Sequence, residues 1–136
     1  MNNISTYILE KLVINKNIKN QSSLENRQTR ENWSIENAEN GDIVSWNDDT
    51  LLFIYKCLNT GDNKINNARD NAIVYHASWI SDDRNILEIG IDTGVGDTSK
   101  PYLYKLAPVE MCKKFYQEIE KKGYKWDDIH KKIIKK

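Results

Sequence analysis

Apolar and polar positions alternate most clearly from Gly41 to Leu58, GDIVSWNDDTLLFIYKCL, and predict two strands joined by a polar turn. Ile43, Val44 and Trp46 form a short run, Asn47-Asp48-Asp49 supplies the turn, and Leu51 to Leu58 is a longer β-branched and aromatic run. Strict alternation would put Leu51, Phe53, Tyr55 and Cys57 on one face, with Leu52, Ile54, Lys56 and Leu58 on the other. Both faces are mostly apolar, so this run is expected to be a central strand. Three more strands are predicted: Ala72 to Ile80, with Ile73, Tyr75, Ala77 and Trp79 sharing a face; Ile86 to Ile91, with Leu87, Ile89 and Ile91; and Tyr102 to Leu106. Turn-forming segments separate them, at Thr60 to Asn63, at Ser81 to Asn85, and in a glycine-rich loop from Gly94 to Pro101.

After the strands the period changes. Cys112, Phe115, Tyr116 and Ile119 recur at i, i+3, i+4 and i+7 and predict a helix laid across the sheet. Pro108 stands where a first helical position belongs, and Gly123 where the helix should stop. Tyr124 to Ile134 reads as a terminal hairpin. The expected fold is therefore α+β: a small antiparallel, barrel-like sheet of four to five strands, one C-terminal helix and a terminal hairpin, over residues 41–136. Upstream, Ile4, Tyr7, Ile8 and Leu12 predict an amphipathic helix within residues 1–18. Residues 19–40 have few apolar side chains and no sustained period, so they read as a flexible linker that orders only near Trp33.

Composition narrows the function. The 136 residues carry 20 Lys+Arg against 20 Asp+Glu, and zero net charge argues against specific duplex-DNA binding driven by phosphate neutralisation. Lysines crowd the C-terminal end, which is read first as a solvated face. Cys57 and Cys112 read as reduced core residues of an intracellular protein. No apolar run is long enough to span a bilayer, so no membrane association is expected.

At Tyr104 to Ile134, YKLAPVEMCKKFYQEIEKKGYKWDDIHKKII resembles the closing segment of small, functionally uncharacterised β-barrel-like/α proteins of Bacteroidetes phages and prophages. Lys105, Ala107, Glu110, Phe115, Gly123, Tyr124 and Trp126 match that pattern, and GDIV and LFIYK are similar to the same proteins' first hairpin. Pro108 stands in place of a helix-capping threonine and Met111 in place of its acidic partner, so the capping box is lost. The resemblance implies a phage origin and a fold, and no chemistry. The first residues, MNNISTYILEKL, resemble the head-targeting peptides of tailed-phage internal proteins, with Ile8-Leu9-Glu10 as the cleavage triplet. That implies removal of residues 1–10 in the virion.

Candidate chemistry is sparse. Asp92-Thr93-Gly94 resembles the catalytic loop of retroviral-type aspartic proteases, but the flap and second element have no counterpart, and Asp-Thr-Gly is also ordinary turn chemistry. Gly94 to Lys100 lacks phosphate-loop spacing. His76 and His130 have no metal-ligand spacing around them, so neither a metal nor another cofactor is expected. Trp46, Tyr55, Tyr75, Trp79 and Tyr102 are read either as cross-strand packing or as a concave binding face completed by Arg84 and Lys100. The resulting expectation is a non-enzymatic phage accessory protein that binds a phage or host protein, in the virion or the host cytoplasm, with oligomerisation allowed. The second expectation is a counter-defence protein that sequesters a nucleotide signal in an aromatic pocket with Arg69, Arg84 and Lys100. An aspartic hydrolase using Asp92 is the third.

Overall fold

A computed structural model describes residues 24–59, 72–92 and 99–136, the side chains of residues 91 and 92 excepted. The expected helix within 1–18, Arg69, and the loop residues 93–98 lie outside the described residues.

Five antiparallel strands form one sheet: β1 (Ile43–Trp46), β2 (Leu51–Leu58), β3 (Ile73–Ile80), β4 (Ile86–Asp92) and β5 (Tyr104–Leu106). Their spatial order is β4-β3-β2-β1-β5, so the α+β class holds, but the sheet is open rather than barrel-like. Closure would need β5 to reach β4; instead its three residues pair with β1, as in Trp46 opposite Tyr104. Helix α1 (Val109–Lys121) and the hairpin β6 (Tyr124–Asp127) and β7 (Lys132–Lys135) follow. Both sheet turns use short polar side chains as local acceptors. Asn47 and Asn85 take left-handed φ values of 64° and 45°. The Asp48 carboxylate accepts from Thr50 N–H at 2.9 Å, and that of Asp82 from Arg84 N–H at 3.0 Å.

One face of the sheet packs Ile43, Leu52, Ile54, Ala77 and Trp79 against Cys112, Phe115 and Ile119 of α1. All three helical residues are fully buried, Phe115 and Ile119 each contributing about 1.5–3 kcal/mol from area removed from water. The helix starts after Pro108 and ends at Gly123, whose φ of 87° an L side chain rarely adopts. Tyr124, Trp126 and Ile133 of the hairpin extend this core. The opposite face packs Val44, Phe53, Tyr55, Ile73, Tyr75 and Tyr104 beneath Ile35.

Strict alternation fails at three places that lie side by side. On β3 the register passes from Ala77 (opposite Ile54) to Tyr75 (opposite Tyr55), leaving His76 as an extra residue. On β2 it passes from Tyr55 to Cys57 against Tyr75 and Val74, leaving Lys56 extra. On β4 the step from Ile89 to Asp92 spans only Ala77 to Tyr75, so an extra residue falls at Gly90–Ile91. Each β-bulge shifts the side-chain phase by one. Tyr75 and Trp79 therefore lie in opposite cores, not on one face, and Leu58 joins Leu51, Phe53 and Tyr55.

The segment from 24 to 40 is no loose linker. Residues 24–28 are helical and Ile35–Asn37 form a 3-10 turn whose Ile35 is fully buried. Gln28 Nε2 donates to the carbonyls of both Ile43 and Ala107 at 2.9 Å, bridging β1 to the start of α1. Buried Asp42 accepts at Oδ2 from Trp33 Nε1 (3.1 Å) and Glu39 N–H (2.8 Å), with Arg30 Nη2 at 2.7 Å. Long-range polar anchors hold a segment that has few apolar ones.

Candidate functional site

The two sheet turns and the short 3-10 turn Pro101–Leu103 meet at one end of the sheet: Asn47 N–H donates to the Leu103 carbonyl at 2.6 Å. Across that end runs a single cross-strand row, Trp46 opposite Leu51, Leu51 opposite Ile80, and Ile80 opposite Ile86. Register puts all four on the Phe53 face, and none is fully buried; Trp46 is 37% and Ile86 43% exposed. A recess of about 440 Å³ opens beside the row, lined by Trp46, Leu51 and Ile80 with Asp48, Asp82 and Arg84 at its rim.

Charge at this end is acidic. Arg84 is gripped by Asp82 through two short contacts, Nε to Oδ1 at 3.0 Å and Nη2 to Oδ2 at 2.6 Å. Hydrogen bonds from Arg84 hold the Asp82 carboxyl below its ordinary range. Lys105 Nζ stands 3.4 Å from Asp49 Oδ1, an ion pair too long to be a good hydrogen bond. Asp48 and Asp83 have no ion-pair partner among the described residues. Hydrogen bonds from Thr50 lower the Asp48 pKa, which keeps it charged.

Of the residues singled out from sequence, Trp46 and Arg84 line this recess, and Lys100 and Tyr102 stand on or beside the flanking turn, Tyr102 with 79% of its surface exposed. Tyr55, Tyr75 and Trp79 do not join them. Tyr55 and Tyr75 are core residues of the Phe53 face, Tyr75 packing on Phe53 with ring centroids 5.7 Å apart. Trp79 lies in the other core against Phe115 and donates Nε1–H to Asn85 Oδ1 at 2.7 Å. The concave aromatic face expected from alternation is thus divided by the bulges. Leu51, Ile80 and Ile86 were missed, because half-exposure of an aliphatic residue leaves no mark in sequence; only register reveals their row.

Among the described residues, the His76 and His130 rings each meet one polar side chain. His76 Nε2 meets Asn40 Oδ1 at 2.7 Å, and its ring packs on Trp126. His130 Nδ1 meets Asp127 Oδ2 at 2.7 Å within the β6–β7 turn, where Asp127 also accepts from the Ile129 and His130 N–H groups. Cys57 and Cys112 are free thiols; burial pushes Cys112 up to about 12. Among the described residues no group of three or more His, Cys, Asp or Glu could hold a metal ion, and no helix is long and apolar enough to cross a membrane. Compared with protein-family models, curated proteins and solved structures, the chain matches none of them.

Proposed function

We propose that this chain is a non-enzymatic binding protein that docks another protein through the turn end of its sheet. The half-exposed row Trp46–Leu51–Ile80–Ile86 carries the reading, because four large apolar side chains in register across four strands form a continuous patch on an otherwise polar end. Tryptophan and arginine, the residues most enriched at interface hot spots, both sit on it. The surplus of Asp48 and Asp83 over engaged cations selects a partner segment that presents an apolar side chain beside lysine or arginine. The resemblance of the closing segment to phage and prophage proteins supports seeking that partner among phage or host proteins.

Photo-crosslinking in producing cells tests this. A benzoylphenylalanine at position 46 or 86 should trap one and the same protein, through a basic-apolar segment, while one at exposed Lys114 on α1 should not. Trp46→Ala should weaken the isolated complex by about 2 kcal/mol or more. Equal labelling from all three positions, or none from 46 and 86, would refute the assignment.

A further inference from the structure

The three bulges converge on a second recess, on the opposite face from the Trp46 row. There β2, β3 and β4 meet the terminal hairpin around a space of about 290 Å³. Its walls include Lys56, His76 and Gly90 from the sheet, and Tyr124, Lys131 and Lys132 from the hairpin. Lys56 and His76 are the extra residues of their strands, and Gly90 lies where β4 has its own. Bulges re-aim side chains and gather next to functional sites. Here adjacent irregularities on three neighbouring strands bring a cation, an imidazole and a bare backbone to one spot.

The electrostatics of that spot are one-sided. Among the described residues three lysines line it and no carboxylate does. Lys131 Nζ is 2.9 Å from Asp128 Oδ1, but that oxygen also accepts from Arg27 Nη2 at 2.9 Å and Trp126 Nε1 at 3.2 Å, so its charge is shared. Lys56 and Lys132 have no ion-pair partner among the described residues. Burial, and then the Lys56 ammonium, hold His76 down to about 4, so at neutral pH the lysines carry the positive charge. Gly90 keeps the wall open: a Cβ there would meet nothing within 4 Å, and its φ of 131° disfavours any side chain.

We propose that this recess binds a phosphate-bearing small molecule, with Lys56 and Lys132 as its principal cations. Its volume lies at the lower limit of small-ligand sites, which suits a phosphate or diphosphate group better than an entire dinucleotide. Lysine supplies the three donors and point charge that a phosphate dianion takes, and Ile89 and Ile133 complete the lining. This anion site is separate from the aromatic pocket with Arg69, Arg84 and Lys100 expected from sequence, part of which lies outside the described residues.

Isothermal titration of the full chain with inorganic pyrophosphate at 50 mM salt is the test. One equivalent should bind. Lys56→Gln and Lys132→Gln should each weaken binding by about tenfold, the loss of one charge-assisted contact, while Lys114→Gln on exposed α1 should stay within about twofold. Amide shifts from the same titration should centre on residues 56, 76, 90 and 131–132, and circular dichroism should show each variant folded. Undetectable binding at millimolar pyrophosphate, equal losses from all three variants, or shifts centred elsewhere would each overturn the proposal.

Discussion

Replacing Asp42 with asparagine should uncouple residues 30–40 from the sheet without changing side-chain shape. The Asp42 side chain is 1% exposed, and Arg30 Nη2, Glu39 N–H and Trp33 Nε1 all converge on its Oδ2 within 2.7–3.1 Å. A hydrogen bond to a charged group contributes about 1.5–3 kcal/mol against about 0.5–1.5 for a neutral one, so neutralising the acceptor costs about 1 kcal/mol for each of the Trp33 and Glu39 bonds and also removes the Arg30 ion pair. Arg30 keeps its bond to Glu39 at 2.8 Å and is partly in water, which screens its share. The expected loss is about 2–3 kcal/mol, a large part of a typical total of about 5–15 kcal/mol. Urea unfolding followed by tryptophan fluorescence reads it as a midpoint lowered by about 1–2 M. Arg30→Met should cost less in the Asp42→Asn background than in wild type, a coupling of about 1 kcal/mol. A single-variant loss below about 0.5 kcal/mol, or strict additivity, would refute the anchoring role.

Gly41→Ala should destabilise by about 1–3 kcal/mol, because φ there is 99° and the new Cβ would lie 3.1 Å from Trp126 Cζ2; an unchanged melting curve would show that the hairpin does not pack there. His76 gives a pH signature of known sign. Burial and Lys56 depress its pKa from 6.5 to about 4, so the unfolded chain takes up the proton first as pH falls. Stability should therefore drop between about pH 6.5 and 4, and His76→Gln should flatten that slope while keeping a donor for Asn40; identical slopes would contradict a buried neutral imidazole.

Much of the architecture was legible because it rests on local chemistry. The limits of β2, the Cys112-Phe115-Tyr116-Ile119 stripe, the stop at Gly123 and the terminal hairpin follow from side-chain period and turn residues. The faces beyond Tyr55 and Tyr75 were not, since counting by twos cannot register an inserted residue. The hints were Lys56 and His76 within apolar runs, and Gly90 within a strand, where an isolated glycine marks a bulge. The packing of residues 24–40, within the stretch 19–40 that reads as a linker, is not legible because their anchors are polar and distant: Gln28 bonds to Ile43 and Ala107, and Arg27 to Asp128. The basic recess was illegible for the same reason, its lysines coming from β2 and from the far end of the chain.

The line of bulges builds the basic recess and divides the two cores, and ring-to-ring NOEs in the core test it most directly. Tyr75 should show NOEs to Phe53 (centroids 5.7 Å), Trp79 to Phe115 (5.9 Å) and His76 to Trp126 (4.9 Å), placing Tyr75 and Trp79 in opposite cores. NOEs from both Tyr75 and Trp79 to Phe53, with none between His76 and Trp126, would mean an unbroken β3 and would remove the recess.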